Sequence, residues 1–231
     1  MTGTLEETQV RAMFDRIAGL YDRMNTVMTA GLHHQWRRRA AELAQLGAGS
    51  RALDVATGTG DLAIALAERL RGDGEVVAVD FSQRMLELAR AKADGLPIRF
   101  EIANALALPF ADHEFDAATV GFGARNFSDL AQGLREMVRV VRPGGRVVVL
   151  EITTPRRAPL STFFGLWFDH AVPALGRAAG NAQAYSYLPS SVKRFPSADE
   201  LAAAMWRCGL GDIRYWLTAG GIIALHVGVA R

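Results

Sequence analysis

The chain contains a single cysteine, Cys208, among its 231 residues, so no disulfide can form within it. It also lacks a run of about 18 apolar residues, the length that a membrane-spanning helix needs. Its first residues show no apolar segment typical of a signal peptide. These absences predict a cytoplasmic protein. Hydrophobic residues make up 50% of the sequence, which is enough for a sizeable core.

An excess of charge of one sign is missing too, since the formal net charge is +2. We therefore expect no nucleic-acid partner, and no metal site is predicted. The only dense basic cluster is Arg37-Arg38-Arg39. A solvated helix face is the expected role of this cluster, and the alternatives are an anionic lipid surface or a contact on the substrate side.

The most informative segment of the chain is Arg51–Asp61, RALDVATGTGD. A short apolar strand ends in Asp54 and a Gly-x-Gly turn, and a helix begins at once. A second apolar strand then ends in Asp80. This layout is typical of a nucleoside-binding βαβ unit, in which glycines let the backbone approach a ligand and the second acid accepts hydrogen bonds from ribose hydroxyls.

The turn itself narrows the choice of ligand. It holds two glycines, Gly58 and Gly60, where the dinucleotide fingerprint has three. Asp54 suits a ligand with a cationic end better than a pyrophosphate, and S-adenosyl-L-methionine carries both a sulfonium and an ammonium group. We predict that cofactor. The alternatives are a nicotinamide-dependent oxidoreductase and a glycine-rich turn in some other α/β fold.

Strands and helices alternate through the middle of the chain, which predicts an α/β fold. The strands are continuous apolar runs, as buried parallel strands should be. We expect strands at 51–55, 75–79, 97–102, 115–121 and 145–151, with helices at 61–71, 82–93 and 128–141. Residues 5–46 read as helices, and residues 142–146, RPGGR, predict a turn.

After Glu151 the alternation breaks. A last helix, 197–208, begins with a capping box made by Ser197 and Glu200. Two strands, at about 212–217 and 221–229, would close the sheet as a hairpin around Gly220-Gly221. We therefore predict a single domain, with a helical cap at 1–46, a cofactor-binding half at 47–151, a helical insertion over the substrate at 152–196, and the last helix and strands at 197–231.

Strand ends supply the candidate cofactor residues, because ligands of open α/β sheets bind at the carboxyl ends of the strands. Asp61, by contrast, is expected only to favour the dipole of its helix. The predicted cofactor contacts are Asp54, Gly58, Thr59, Gly60, Asp80, Asn104, Ala105 and Gly121.

Two further segments mix polar and aromatic residues. In the first, Tyr21 and Trp36 can surround a methylsulfonium and His33 can act as a base, or His33 only caps or bridges two helices. In the second, Arg125 and Asn126 can hold the oxygens of an aromatic substrate, with Arg125 lowering the pKa of a phenol. The alternative for Arg125 is a salt bridge within a loop.

Taken together, these segments resemble the ubiquinone/menaquinone biosynthesis C-methyltransferase family, the UbiE/MenG type, from about Phe14 to Val229. Two motifs are specific to it. The first comprises Tyr21, Asp22, Met24, Asn25, His33 and Trp36. The second comprises Arg139, Val140, Arg142, Pro143, Gly144, Gly145 and Glu151.

The resemblance implies a Rossmann-like class I methyltransferase. Its sheet would have seven mostly parallel strands with an antiparallel last strand, under N-terminal capping helices. It also implies C-methylation of a polyprenylated hydroquinone, chiefly demethylmenaquinol to menaquinol, with the demethyl benzoquinol of ubiquinone synthesis as the alternative. Thr59, Asp80 and Asn104-Ala105 would contact the cofactor. Gly121 stands where many relatives carry Ser, and Thr57 replaces a frequent Gly.

The resemblance also suggests a mechanism and a membrane contact. Tyr21 would shape the methyl pocket, and His33, or a water held by Asp22, would take the phenol proton. Phe163–Phe168 offers a path for the prenyl tail and a peripheral contact with the inner face of the membrane; an ordinary cap or a homodimer surface is the alternative. The arginines that flank this path are Arg156, Arg157 and Arg177.

The sequence leaves two other functions open. They are a methyltransferase for another small molecule and a non-catalytic S-adenosylmethionine-binding partner protein.

Overall fold

A seven-stranded sheet runs through the computed structural model, which describes residues 7–155, 160–166 and 182–231. The strands lie side by side in the order β3-β2-β1-β4-β5-β7-β6. Their bounds are β1 Ser50–Val55, β2 Gly74–Asp80, β3 Ile98–Ile102, β4 Phe115–Gly121, β5 Val141–Ile152, β6 Leu210–Thr218 and β7 Ile223–Ala230.

All strands except the last one run in the same direction. Strands β1 to β5 pair in parallel, with Leu53 opposite Val77 and Ala118. Strand β7 is antiparallel to both of its neighbours. The predicted sheet is confirmed. The strand order reverses between β1 and β4, and open sheets of this type bind ligands in the crevice at that point.

Helices cover both faces of the sheet. The three helices predicted between the strands and the final helix are all present, and Glu200 closes the capping box by accepting a 2.9 Å hydrogen bond from the backbone N–H of Ser197. Short 3-10 turns occupy Ala124–Asn126 and Ala219–Gly221. The helices are α1 Glu7–Thr29, α2 Leu32–Leu43, α3 Asp61–Leu70, α4 Gln83–Lys92, α5 Leu130–Val140, α6 Leu160–Leu166, α7 Ala182–Arg194 and α8 Ala198–Arg207.

The apolar core has two halves, one on each face of the sheet. Neighbouring strand residues point to opposite faces, so Leu53 packs with Met137 of α5 while Ala52 packs with Leu66 of α3. Leu53 and Ala52 are both fully buried. This two-sided burial explains why the strands read as continuous apolar runs rather than as alternating ones.

The predicted turn at 142–146 is wrong. Strand β5 already starts at Val141 and continues through this segment, although the pairing shifts between Phe115 and Ala117. Gly144 sits at the irregularity with φ +80°. A Cβ on Gly145 would lie 2.5 Å from the carbonyl oxygen of Asp116. The two glycines therefore permit an irregularity within strand β5, and the chain does not reverse its direction there.

The insertion after β5 is described only in part. Helices α6 and α7 belong to it, and Phe164 packs in a small buried cluster with Val192. The rest of the predicted tail path, including Trp167, Phe168 and the arginines at 156, 157 and 177, lies outside the described residues. Among the helices of the described ranges, none combines the length and apolar character needed to cross a bilayer.

Two glycine substitutions test the packing of β5. We expect Gly145→Ala to lower the free energy of unfolding by about 1–3 kcal/mol, because its Cβ would collide with strand β4. Gly19→Ala is the matched control. A Cβ at this exposed position of α1 meets nothing within 4 Å, so a gain of up to about 1 kcal/mol in helix propensity is expected. Urea denaturation measures both values, and a neutral Gly145→Ala would contradict the packing.

Candidate active site

A cavity of about 800 Å³ opens at the carboxyl ends of β1, β2, β3 and β4. We call it the cofactor cavity. Six of the eight predicted cofactor residues line it: Gly58, Thr59, Asp80, Asn104, Ala105 and Gly121.

The turn after β1 forms the floor of the cofactor cavity. Gly58 has φ +58°, and a Cβ built on it would meet no atom within 4 Å, so its backbone is open to a ligand. Gly60 behaves differently. It does not line the cavity, and its Cβ would lie 3.1 Å from the Cβ of Ala89. Gly60 therefore lets α3 pack against α4, and its contact with the cofactor stays a prediction.

Asp80 stands at the end of β2 with its carboxylate facing the same turn. Its oxygens accept hydrogen bonds from the backbone N–H groups of Gly58 at 2.8 Å and Ser82 at 2.9 Å. Burial raises its pKa to about 6. A carboxylate has about four acceptor positions, so Asp80 keeps acceptor capacity for a hydroxyl donor. A buried acid beside an open glycine backbone fits the ribose of a nucleoside cofactor.

Asp54 does not reach the cofactor cavity. Its side chain is fully buried and accepts hydrogen bonds from the hydroxyls of Thr57 at 2.6 Å and Thr119 at 2.7 Å. Burial raises the pKa of Asp54 to about 6 as well. In this geometry the Asp54 carboxylate holds the turn in place from behind, and its contact with the cationic end of the cofactor stays a prediction.

A second cavity of about 790 Å³ adjoins the first, and we call it the acceptor cavity. Four residues line both cavities: Phe14, Tyr21, Arg37 and Phe122. The remaining wall of the acceptor cavity is mostly apolar. It includes Met13, Ile17, Met24, Met28, Ile152, Leu188 and Ile223.

Arg125 brings a buried cation to the wall of the acceptor cavity. It pairs with Glu151 at 2.7 Å, and the two side chains are 7% and 1% exposed. Its Nη1 also donates to the carbonyl of Phe122. The salt bridge foreseen as an alternative is thus present, but within the described residues Nε of Arg125 has no hydrogen-bond partner.

Asn126 and Gly121 complete the wall that follows β4. The side-chain oxygen of Asn126 accepts a 3.2 Å hydrogen bond from the hydroxyl of Tyr187, and Asn126 lines the cofactor cavity. A Cβ at Gly121 would approach Cδ2 of Leu62 to 3.0 Å. A serine there would press on Leu62, so the glycine matches the packing of this chain.

Asp22 closes the helical cap onto the turn without lining either cavity. Its carboxylate accepts from the hydroxyl of Thr59 at 2.6 Å and pairs with Lys92 at 2.5 Å. Lys92 in turn lies 2.7 Å from Asp61. Asp61 occupies the first turn of α3 as predicted, but it is an ion-pair partner as well. The proposal that Asp22 holds a water for proton transfer is not supported by these contacts.

His33 is buried, and both of its ring nitrogens are engaged. Nδ1 contacts Nη1 of Arg37, and Nε2 lies 3.2 Å from Oγ1 of Thr26. Since an arginine can only donate, Nδ1 must be the acceptor and Nε2 must carry the proton. Burial, followed by the Arg37 charge, lowers the pKa of His33 to about 4. The lone pair of His33 is occupied and weakly basic, which argues against the predicted role of His33 as the base and favours the alternative of a bridge between helices.

Arg37 is the site residue that the sequence did not reveal. It was expected on a solvated face with Arg38 and Arg39; those two are exposed, but Arg37 is only 6% exposed. One sequence signal could have indicated that Arg37 is buried. Arg37 follows His33 by four positions, which places both residues on the same face of a helix.

The fold and the paired cavities define a Rossmann-like methyltransferase, and comparisons with known proteins agree. The model of the ubiE/COQ5 methyltransferase family matches residues 2–230. A demethylmenaquinone methyltransferase of Thermus thermophilus is 48% identical over 94% of this chain and 99% of its own length. One from Deinococcus radiodurans is 47% identical over 96% of the chain and 92% of its own length.

Solved structures share the fold at lower identity. An S-adenosylmethionine-dependent methyltransferase from Thermotoga maritima superposes with a TM-score of 0.68 at 18% identity, covering 96% of this chain and 99% of its own. One from Aquifex aeolicus gives 0.59 at 19% identity, covering 82% and 86%. The chain belongs to the ubiE/COQ5 methyltransferase family. It is a methyltransferase, and its cofactor is S-adenosyl-L-methionine.

The state of His33 can be tested by nuclear magnetic resonance. We expect a neutral imidazole with the proton on Nε2 at pH 7, and titration only near pH 4. The unfolded chain would bind this proton near pH 6.5. His33 therefore contributes stability above pH 6.5 that is lost as the pH falls towards 4. The His33→Asn variant identifies the signal by its loss. A His33 that titrates at pH 6.5 or above would contradict the hydrogen-bond assignment.

Proposed function

We propose that this protein methylates a ring carbon of a polyprenylated hydroquinone, converting demethylmenaquinol into menaquinol. The observation that carries the proposal is the pair of adjoining cavities, one lined by nucleoside-type contacts and the other mostly apolar, with a shared wall. The names of the relatives from Thermus thermophilus and Deinococcus radiodurans support menaquinone as the product class.

Six residues would hold the cofactor, and they fit it because they combine a buried acid, an open glycine backbone and short polar side chains. When bound, S-adenosylmethionine supplies an electrophilic methyl group. The shared wall offers the aromatic faces of Tyr21 and Phe122, and such faces favour a cationic centre. The six residues are Gly58, Thr59, Asp80, Asn104, Ala105 and Gly121.

The acceptor cavity suits an aromatic ring with an attached hydrocarbon chain. Methionine, branched aliphatic and aromatic side chains together form most of its wall, and Met13, Met24 and Met28 come from α1. Flexible thioether side chains adapt to irregular apolar ligands. Helix α7 closes the opposite side with Leu188. A small polar acceptor would leave this surface unfilled.

Arg125 is the residue that we propose activates the acceptor. Its buried Nε–H would donate to a ring oxygen, and its charge would favour the phenolate over the phenol. A phenolate oxygen raises the electron density on the adjacent ring carbon. Because neither His33 nor Asp22 is placed to take the proton, we propose that the hydroxyl proton leaves to water.

Labelled S-adenosylmethionine offered with reduced demethylmenaquinone tests the function. We expect label on one ring carbon of the naphthoquinol, since the apolar cavity and the oxygen donor of Arg125 match that substrate. The demethyl benzoquinol is the parallel arm, because the relative from Geotalea uraniireducens is named a ubiquinone/menaquinone biosynthesis C-methyltransferase. Cofactor binding without transfer to either quinol would contradict the proposal and favour a non-catalytic partner protein.

Replacing the activating cation tests the mechanism. We expect Arg125→Met to lower kcat about 100- to 1,000-fold, the usual effect of losing one donor to a developing oxyanion. The apparent pKa of the rising limb of the pH–rate profile should also move upward, because the phenolate loses its stabilising charge.

Two variants serve as controls for Arg125→Met. Arg142→Met removes an exposed arginine that pairs with Asp116, at the other end of the sheet, and should keep the wild-type profile. His33→Asn should keep the apparent pKa of the rising limb, because His33 is not the base. If the rising limb of the pH–rate profile were lost in His33→Asn and kept in Arg125→Met, His33 would be the base and Arg125 would not be the activating group.

Three finer points remain part of the proposal. The division of the single domain at residues 46, 151 and 196 fits the site, because α1 and α7 both line the acceptor cavity. A peripheral contact of the Phe163–Phe168 segment with the inner face of the membrane would give access to a tailed quinol, and liposome flotation tests this contact. The alternative is that the same segment forms a homodimer surface, and sedimentation tests the oligomeric state.

A further inference from the structure

Arg37 of α2 lies where the cofactor cavity meets the acceptor cavity. Among the described residues that line the cofactor cavity, it is the only lysine, arginine or histidine. Asp80, the only acid in that lining, comes from the end of β2, next to Asn104 and Ala105. The lining thus has one anionic group, suited to ribose, and one cationic group with no assigned role.

The guanidinium of Arg37 is held by three neighbours. Nη1 contacts Nδ1 of His33 and lies 3.5 Å from Oδ2 of Asp61, and the carbon Cζ stands 5.2 Å from the ring centre of Phe122. At 3.5 Å the pair with Asp61 is longer than the 2.7–2.9 Å of a charge-assisted hydrogen bond. Oδ2 of Asp61 accordingly has no hydrogen bond within the described residues.

Most donors of Arg37 are therefore still available. Both polar contacts within the described part of the chain use Nη1, although the guanidinium has five N–H donors in all. A planar fork of donors matches a carboxylate in a bidentate arrangement. His33, neutral and accepting from Nη1, fixes the orientation of this fork without opposing its charge.

We propose that Arg37 binds the α-carboxylate of the methionine part of the cofactor. This inference rests on the cofactor and not on the quinol acceptor. The reactive methyl group must face the acceptor cavity, so the amino acid end of the cofactor lies near the shared wall, and Arg37 is a member of that wall. The acceptor cavity has its own cation in Arg125, whose free Nε suits the quinol oxygen.

Binding of two ligands, measured by calorimetry without any quinol, tests the proposal. S-adenosylmethionine carries the carboxylate, and decarboxylated S-adenosylmethionine keeps the sulfonium and the amine but lacks it. We expect the wild-type protein to bind the first ligand at least about 30-fold more tightly, since losing one partner of a buried charge pair has effects of that size. In Arg37→Met the two affinities should become nearly equal.

Two further variants keep the test decisive. Arg38→Met removes the exposed neighbour of Arg37 and should retain the wild-type preference. Arg37→Lys keeps a cation and should retain part of the preference, even if Arg37→Met folds poorly. Equal weakening of both ligands in Arg37→Met would show a merely structural role and overturn the proposal. A wild-type protein that binds neither ligand would instead overturn the cofactor assignment itself.

Discussion

The geometry of the site depends on the ion pairs around Asp61, which join the N-terminal helices to the sheet. Asp61 lies between Lys92 of α4 and Arg37 of α2, and Lys92 reaches on to Asp22 of α1. The two halves of this network differ in strength. Side chains of the Lys92–Asp22 pair are about one third exposed, so that pair contributes at most about 1 kcal/mol. The Arg37–Asp61 pair is buried and therefore less screened by solvent, although its atoms are 3.5 Å apart.

This constraint explains why two cavities share a wall. Helix α1 contributes Phe14 and Tyr21 to both cavities, and the hydrogen bond from Thr59 to Asp22 holds this helix to the turn. Burial around the cavities also shifts the pKa values of ionisable groups. The pKa values of Asp54 and Asp80 are raised, whereas the pKa of His33 is lowered. The burial that shapes the cavities therefore also makes His33 a weak base, and this supports our proposal that Arg125 activates the acceptor.

Local sequence patterns predicted the sheet and most of the residues that line the cofactor cavity, because both follow from short-range chemistry. Apolar runs, a glycine turn and strand-end acids are visible within a few residues of one another. The positions of the other candidate residues depend on contacts between distant segments. Asp54 is covered by Thr119, 65 positions away, and Gly60 packs against Ala89. Arg37 looked like one of three solvated arginines because its burial comes from Phe122 and Asp61.

A crystal structure with S-adenosylhomocysteine and menaquinol bound together tests the central claim most directly. The claim is that the cofactor and the acceptor meet across the wall formed by Phe14, Tyr21, Arg37 and Phe122. We predict the cofactor sulfur at this wall, with the quinol ring on its other side and a ring oxygen on Nε of Arg125. A sulfur atom remote from the wall, or a quinol ring outside the apolar cavity, would contradict the account.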